Sequence, residues 1–187
     1  MILDGLMENE KQNVSVKIVK KFEFNSTLKR MSCIAKRFNG KNETSAKYFV
    51  ATKGAPEVLA DRFSNKPSWY TDVYKSYARQ GSRVLSLGMK PIGLAKEYDR
   101  DEVEKDLEFA GFLVFHCPIK HDSKEAIEKL LYSSHRVIMI TGDNPLTACH
   151  VAKEVSMCNE SILILDGSDD NGKARYSINN HVYQDFI

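Results

Sequence analysis

A change of hydrophobic pattern near Phe109 constrains the fold of this 187-residue chain more than any other feature. Before it, residues 14–24 alternate between apolar and polar side chains, as a strand with one solvated face does. After it, residues 110–115 are nearly all apolar, and further apolar runs are separated by amphipathic helical segments. Alternation favours antiparallel strands, whereas apolar runs separated by helices favour a parallel sheet with helical crossovers.

The sequence therefore predicts two parts that meet near residue 110. Residues 1–110 are predicted to form an α+β domain around an antiparallel sheet, and residues 111–187 part of an α/β unit of the Rossmann type. Helices are predicted at residues 56–63, 68–80 and 99–107, and after Asp122 and Pro145, with Gly81 as a C-terminal cap. Residues 136–140 and 162–165 are predicted to be strands of the parallel sheet.

Composition excludes several classes of protein. With 42% hydrophobic and 28% charged residues the chain is expected to be globular, and a net charge of +2 gives no broad nucleic-acid footprint. No apolar run approaches the roughly 20 residues of a membrane-spanning helix, so the chain as given is expected to be soluble. The four cysteines form no CxxC pair, which predicts reduced thiols and no metal site within the chain.

Lys53 and Gly54 follow a predicted strand, and Pro56 suits the first turn of a helix. Glycine allows a backbone to approach a ligand closely, and a helix N-terminus offers free N–H groups and partial positive charge. Lys53 adds a full positive charge for a phosphate. A plain strand-to-helix turn explains the same residues, and from residues 53–57 alone it is the favoured interpretation.

Phe24 stands at a predicted strand end, five residues before Lys29. An exposed aromatic ring there could stack on a purine base, since ring faces bind bases without strict register. A buried position in the core is an equally open alternative for Phe24. For Phe22, two residues earlier, the core is the favoured prediction.

Thr141, Gly142 and Asp143 follow the apolar run at residues 136–140. Ligands of parallel sheets bind beyond the carboxyl ends of the strands. Thr141 could donate its hydroxyl to a phosphoryl oxygen, Gly142 could allow close approach, and Asp143 could lie near a phosphate-bound cation. Helix capping is the alternative for Asp143 and Asn144, and the roles are compatible if Asn144 caps the helix while Asp143 faces the site.

Taken in order, these motifs resemble the cytoplasmic region of P-type ATPases over roughly residues 14–165. The resemblance rests on five segments: Phe24 with Lys29-Arg30-Met31-Ser32, Lys53-Gly54-Ala55-Pro56-Glu57, Gly81-Ser82-Arg83-Val84-Leu85, Asp106-Leu107-Glu108-Phe109-Ala110-Gly111 and Met139-Ile140-Thr141-Gly142-Asp143. It implies ATP and Mg²⁺ as cofactors. The residues implied for the nucleotide are Phe24 for adenine stacking, Lys29 and Lys53 for charge, Gly54, and Arg83 for a phosphate contact. Those implied for the transferred phosphoryl group are Thr141, Gly142 and Asp143.

The resemblance also implies a nucleotide-binding domain at residues 1–110 and part of a haloacid-dehalogenase-like phosphorylation domain at residues 111–187. In this family ATP binds between the two domains, and an aspartate takes the γ-phosphoryl group as a covalent intermediate. The 187 residues contain neither Asp-Lys-Thr-Gly nor Gly-Asp-Gly-x-Asn-Asp. The nucleophile is therefore expected before Met1 and the magnesium motif after Ile187, and the chain alone is expected to bind nucleotide without hydrolysing it.

Residues 116–120 read His-Cys-Pro-Ile-Lys where most P-type ATPases carry an Asp-Pro-Pro-Arg-like stretch. Together with residues 141–152 this departure resembles the endoplasmic-reticulum branch, class five, subfamily A. That implies a parent protein in the endoplasmic reticulum membrane that couples ATP hydrolysis to transport or extraction of a membrane substrate. Its remaining transmembrane, actuator and phosphorylation segments would be the partners of this chain.

Two other functions are weighed against this one. The chain could be a stand-alone, non-catalytic nucleotide-binding or interaction module, which would keep the first set of motifs. A haloacid-dehalogenase-like phosphatase needs an Asp-x-Asp at a strand end near the start, and Asp4 lacks that setting.

Overall fold

The computed structural model of this chain describes residues 6–9, 14–39, 42–94, 97–158, 162–168, 174–178 and 181–183. These residues fall into two compact units, one within residues 1–74 and 84–114 and the other within residues 75–83 and 115–187. The division into two domains at residue 110 stays a prediction.

The first unit is built around a six-stranded sheet in which the strands lie in chain order. The strands are β1 (Leu6–Asn9), β2 (Val14–Asn25), β3 (Arg30–Asn39), β4 (Asn42–Gly54), β5 (Arg83–Ile92) and β6 (Glu108–Phe115). The first five pair with their neighbours in antiparallel fashion. The α+β class predicted for the first part of the chain is therefore confirmed. The pair Asn39-Gly40 is a sequence signal for a hairpin turn between β3 and β4, but Gly40 lies outside the described residues.

Short helices connect these strands. They are α1 (Pro56–Leu59), which continues as a 3₁₀ turn over Ala60–Arg62, α2 (Tyr70–Arg79) and α3 (Arg100–Val103). The first two lie where the sequence predicts them, but α3 is one turn long rather than nine residues. Gly81, with a φ of 80°, ends α2 in a Schellman motif, because its N–H donates to Ala78 O and the N–H of Ser82 donates to Tyr77 O. The predicted cap is confirmed.

The core of the first unit lies between the sheet and these helices. Ile34, Val50, Leu59, Val103 and Leu107 are its buried cluster, and Phe22 is among the partly buried side chains packed against it. The core position predicted for Phe22 is thus confirmed. A second group contains Phe63, Tyr70, Phe109 and Phe112, whose contacting rings lie 4.9–5.6 Å apart between centroids.

The second unit contains helices α4 (Ser123–Tyr132) and α5 (Pro145–Glu154). Asn144 caps α5, since its Oδ1 accepts from Leu146 N at 2.9 Å, as predicted. Asp122 precedes α4, but its side chain makes no capping hydrogen bond. In the described part of the chain no helix has the length and apolarity needed to cross a membrane.

The parallel sheet predicted for the second part is not found among the described residues. Residues 136–140 form no strand, and Ile138 and Ile140 are 80% and 94% exposed. Strand β7 (Leu163–Ser168), which covers the predicted strand at 162–165, instead pairs antiparallel with β8 (Ala174–Ile178), and β8 pairs with β9 (His181–Tyr183). An apolar run shows that a segment needs burial, but the partner strand decides whether it forms a strand and in which sheet.

Strand β6 also lies elsewhere than predicted. Residues 110–115 were expected to open the α/β unit, yet β6 is the neighbour of β5 in the sheet of the first unit. Its apolar character fits either sheet, because a continuous apolar run does not distinguish parallel from antiparallel surroundings.

Candidate functional site

The candidate nucleotide residues of the first unit lie at one end of its sheet. One row of residues crosses four strands there, and it consists of Asn25 on β2, Arg30 on β3, Gly54 on β4 and Ser86 on β5. Phe24, Lys29 and Lys53 are each the immediate chain neighbour of a member of this row. The antiparallel register therefore brings together three residues that are up to 29 positions apart in the sequence.

Phe24 is an exposed aromatic residue. Its relative solvent accessibility is 62%, so the alternative that it belongs to the core is wrong. A ring in this position keeps a surface available for stacking on a planar base.

The turn from β2 to β3 holds Lys29 in an unusual backbone conformation. Asn25 Oδ1 accepts from Thr27 N and Leu28 N at 2.9 and 3.0 Å, and Asn25 O accepts from Lys29 N at 2.7 Å. Lys29 has a φ of 48°, which is uncommon for a residue with a Cβ atom. The sequence reasoning did not identify this Asn25 turn, although an asparagine at a strand end is a turn signal.

The Lys29 side chain points its charge partly into solvent. It is 57% exposed, and its Nζ lies 3.8 Å from Glu57 Oε1 of α1. An exposed ion pair of this length contributes little stability, so the ammonium group can exchange this partner for a phosphate.

Gly54 has an intramolecular reason to be glycine. A Cβ atom there would lie 2.7 Å from Arg30 Cβ and 2.9 Å from Lys29 O. The Lys29 carbonyl also accepts from Ala55 N at 3.0 Å, so the end of β4 is bonded to the turn that carries Lys29. Close packing of β3 on β4 thus accounts for Gly54, and a direct approach of its backbone to a ligand stays a prediction.

Tyr70 of α2 anchors the first turn of α1. Its hydroxyl donates to Pro56 O at 2.8 Å, and the residue is 0% exposed. Burial is the main cause that raises the pKa of Tyr70 to about 12, so the phenol stays a neutral donor over the ordinary pH range. This bond fixes the helix that follows Lys53 and Gly54.

Replacing Tyr70 by phenylalanine should lower the free energy of unfolding of the first unit by about 1–2 kcal/mol, because Pro56 O loses its donor. Urea unfolding followed by Trp69 fluorescence measures this, since the chain has one tryptophan and it lies in the first unit. The pKa of Tyr70 is raised in the folded state from the ordinary tyrosine value of 10 to about 12, so the wild type should lose this stabilisation as pH rises from 10 towards 12. Equal stability of both proteins at neutral pH would contradict the anchoring role.

A buried charge network braces the same end of the sheet. Glu104, the residue that follows α3, is 0% exposed and accepts from Arg30 Nε and Ser32 Oγ, both at 2.6 Å, and from Arg100 Nε at 3.0 Å. Ser32 Oγ and Thr52 Oγ1 are 2.9 Å apart and share a hydrogen bond. Arg100 also donates to the backbone oxygen of Arg30 at 3.0 Å. Burying a carboxylate is costly unless donors surround it, and these donors satisfy both of its oxygens.

Sequence reasoning missed this network, although a signal for it was present. Arg30, Ser32 and Thr52 occupy alternate positions of β3 and β4 and are all buried. Polar residues at the inward positions of neighbouring strands indicate a buried polar cluster. The sequence did not show which carboxylate would pair with these residues, because several acids lie in and next to α3.

In the second unit Arg83 and Asp143 form a bidentate ion pair. Arg83 Nε lies 2.8 Å from Asp143 Oδ1, and its Nη2 donates to Oδ2 at 2.9 Å. The hydrogen bond and the charge of Asp143 raise the pKa of the Arg83 guanidinium. Thr141 Oγ1 accepts from Asp143 N at 3.1 Å, so three predicted phosphate residues lie together.

The surroundings of this ion pair bear on the roles predicted for Asp143 and Gly142. The carboxylate of Asp143 faces a guanidinium rather than an open position for a metal cation. A Cβ atom at Gly142 would meet nothing within 4 Å, so no internal contact requires glycine there.

The second unit contains two cavities among its described residues. The larger, of about 510 Å³, is lined by residues that include Arg79, Cys149, His150 and Lys153. The smaller, of about 240 Å³, is lined by residues that include His116, Cys117 and Ile119. None of the residues predicted for the nucleotide lines either of these two cavities.

Comparison with known proteins identifies the class. Residues 3–68 match the family model described as P-type ATPase, cytoplasmic domain N. Over 162 residues, 82% of this chain, the sequence is 48% identical to a protein of Saccharomyces cerevisiae named endoplasmic reticulum transmembrane helix translocase. The predicted resemblance is confirmed, and over its matched residues the chain belongs to the P-type ATPase family.

Other relatives place the chain within that family. A protein of Schizosaccharomyces pombe, also named endoplasmic reticulum transmembrane helix translocase, is 44% identical over 84% of the chain. A probable manganese-transporting ATPase of Arabidopsis thaliana is 43% identical over 87% of it. The resemblance to class five, subfamily A is likewise confirmed. The chain spans only 13–14% of the length of these relatives.

Proposed function

We propose that the first unit binds ATP through the exposed surface formed by Phe24, Lys29 and Lys53. The observation that carries this proposal is the common row across β2, β3 and β4, which gathers an exposed ring and two exposed lysines at one end of the sheet. The ring suits the adenine base, and the ammonium groups suit the phosphates. The family match over residues 3–68 supports this assignment.

In the second unit we propose that Arg83, Thr141, Gly142 and Asp143 serve the phosphates. Thr141 uses its oxygen as an acceptor for Asp143 N, so its hydroxyl hydrogen can be donated to a phosphoryl oxygen. The open surroundings of Gly142 leave room for a phosphoryl group. Arg83 presents a fork that matches two phosphate oxygens once Asp143 releases it.

The family implies Mg²⁺ as the companion of ATP. The described residues contain no cluster of three or more His, Cys, Asp and Glu side chains suited to a metal ion. Asp143, the acid predicted to lie near the cation, is bound by Arg83. The described part of the chain therefore does not fit a magnesium site of its own, and no step is assigned to the ion here.

For the whole protein we propose an ATPase of the endoplasmic reticulum membrane that moves or extracts a membrane substrate. The names of the two yeast relatives support the location and the type of substrate. In such a protein a haloacid-dehalogenase-like domain would supply the aspartate that attacks the γ-phosphorus, with ADP as leaving group. Its transmembrane, actuator and remaining phosphorylation segments would be the partners of this chain.

Nucleotide binding can be tested by titrating the 187-residue chain with ATP and ADP, with and without Mg²⁺, while backbone amide shifts are followed by NMR. Shifts should cluster at Phe24, Lys29 and Lys53. Phe24→Ala should weaken ATP binding about tenfold, because base stacking contributes roughly 1–3 kcal/mol. Lys53→Ala should weaken the binding of ATP more than the binding of adenosine, since the variant loses a phosphate contact.

Lys47→Ala is the matched control for Lys53→Ala. Lys47 is an exposed lysine on the same strand, where it pairs with Arg37 rather than with the candidate row. Its variant should bind ATP as the wild type does. A folded wild type that shows no shifts with millimolar nucleotide would refute the proposal and favour a non-binding interaction module.

A further inference from the structure

The buried Glu104 network ends beside both candidate lysines. One arm runs from Glu104 to Arg30, the chain neighbour of Lys29. The other runs from Glu104 through Ser32 to Thr52, the chain neighbour of Lys53. One carboxylate is therefore linked by hydrogen bonds to the residues next to both lysines, Arg30 at the start of β3 and Thr52 on β4.

We infer that Glu104 is a positioning residue for nucleotide phosphate, which acts by fixing the spacing of Lys29 and Lys53. The inference rests on the proposed ATP binding and goes beyond it, because Glu104 is buried and touches no nucleotide itself. A binding site keeps its geometry best when neighbouring packed and hydrogen-bonded residues fix the conformation of the residues that contact the ligand.

The backbone at Lys29 needs such support. Its φ of 48° is retained only if the surroundings over-determine it. Lys29 N donates to Asn25 O and Lys29 O accepts from Ala55 N, so both peptides beside Lys29 are bonded, and Arg100 donates to the next carbonyl, Arg30 O. Arg30, which is 3% exposed, is held inside by the charge of Glu104.

Replacing Glu104 by glutamine removes the charge and keeps the size. In the variant, the glutamine NH₂ group would replace one of the two carboxylate oxygens and cannot accept a hydrogen bond. Arg30 or Ser32 would therefore lose its acceptor. Among the residues that the structure describes, Arg30 would then pair only with Asp101, an exposed acid whose Oδ1 lies 3.5 Å from Arg30 Nη2. A buried guanidinium that is paired so weakly is unfavourable, and its movement towards Asp101 and solvent would displace the peptide that joins Lys29 to Arg30.

Adenosine provides an internal reference for the test. Phe24, proposed to stack on the base, lies on β2 and is not a member of the network, whose bonds join β3, β4 and the residues of and after α3. A change in lysine spacing should therefore alter the phosphate-dependent part of the affinity. A general loosening of the unit should instead alter ATP and adenosine binding alike.

The experiment compares ATP and adenosine affinities of the 187-residue chain by NMR titration, for the wild type and Glu104→Gln. We expect the ATP dissociation constant to rise about tenfold and the adenosine constant to change less than about twofold. The dependence of ATP affinity on salt should also weaken, because fewer ammonium groups reach the phosphates.

Two control variants separate positioning from stability. Glu102→Gln removes an exposed carboxylate two residues away, paired with Lys105, and should leave both affinities unchanged. Val50→Ala weakens the buried core and should lower the thermal midpoint without changing the ratio of ATP to adenosine affinity.

Ser32→Ala is a second test, which remains available if Glu104→Gln does not fold. This variant keeps the ion pair between Arg30 and Glu104 and should therefore keep the fold. It cuts the arm that leads to Thr52 and Lys53, and should reduce the ATP-to-adenosine ratio about threefold. Unchanged ratios in the folded variants would overturn the inference alone. A wild type that binds neither ligand would overturn the proposed function and the inference with it.

Discussion

Glu104→Ala should lower the free energy of unfolding of the first unit by about 3–5 kcal/mol, because it leaves the buried Arg30 with only the exposed Asp101, 3.5 Å away, as a counter-ion among the described residues. Arg30 and Glu104 are 3% and 0% exposed, and their atoms Nε and Oε2 lie 2.6 Å apart. Ser32 and Arg100 lose an acceptor in the same variant. Urea unfolding monitored by Trp69 fluorescence measures the change in the first unit.

The stability control is Glu102→Ala. Glu102 is 66% exposed and pairs with Lys105, so its removal should cost no more than about 1 kcal/mol. The double variant Arg30→Met with Glu104→Leu should recover most of the loss, since an apolar pair can replace a buried ion pair. A loss below about 1 kcal/mol in Glu104→Ala would show that Asp101 alone is a sufficient counter-ion for Arg30 and would contradict the stabilising role of Glu104.

Gly54→Ala should lower the free energy of unfolding by about 1–3 kcal/mol, because the added methyl group has no space. It would meet Arg30 Cβ at 2.7 Å and Lys29 O at 2.9 Å, and the latter is a backbone atom that moves only with the turn before β3. The shift would displace the turn that carries Lys29, so ATP affinity should fall as well. Urea unfolding and the ATP titration measure the two effects on one sample.

Gly93→Ala is the matched glycine control. Gly93 is exposed, and a Cβ atom there would meet nothing within 4 Å. This variant should be neutral or more stable by up to about 1 kcal/mol, because alanine restricts the unfolded chain. If both alanine variants had equal stability, the close packing of β4 on β3 would not be the reason for glycine at position 54.

Local features of the sequence predicted local structure well. Alternation predicted the antiparallel strands, Pro56 and Pro145 marked the starts of helices, and Gly81 and Asn144 capped helix ends as expected. Each signal acts within a few residues, through backbone geometry or a short hydrogen bond, so neighbouring residues carry it completely.

Long-range choices of partner were not predictable in the same way. The apolar residues 110–115 joined the antiparallel sheet, and residues 136–140 formed no strand in the described structure. Apolar character favours burial but does not determine which strand a segment pairs with, because the partner strand lies far along the chain.

The sequence by itself determined the family of this protein, its antiparallel first unit and the residue types proposed to meet a nucleotide. Only the tertiary structure decided that Arg30 pairs with Glu104, 74 residues away, and Arg83 with Asp143, 60 residues away. The reason is physical: charge and hydrogen bonding select partners by distance in space and by burial, and a linear pattern contains neither.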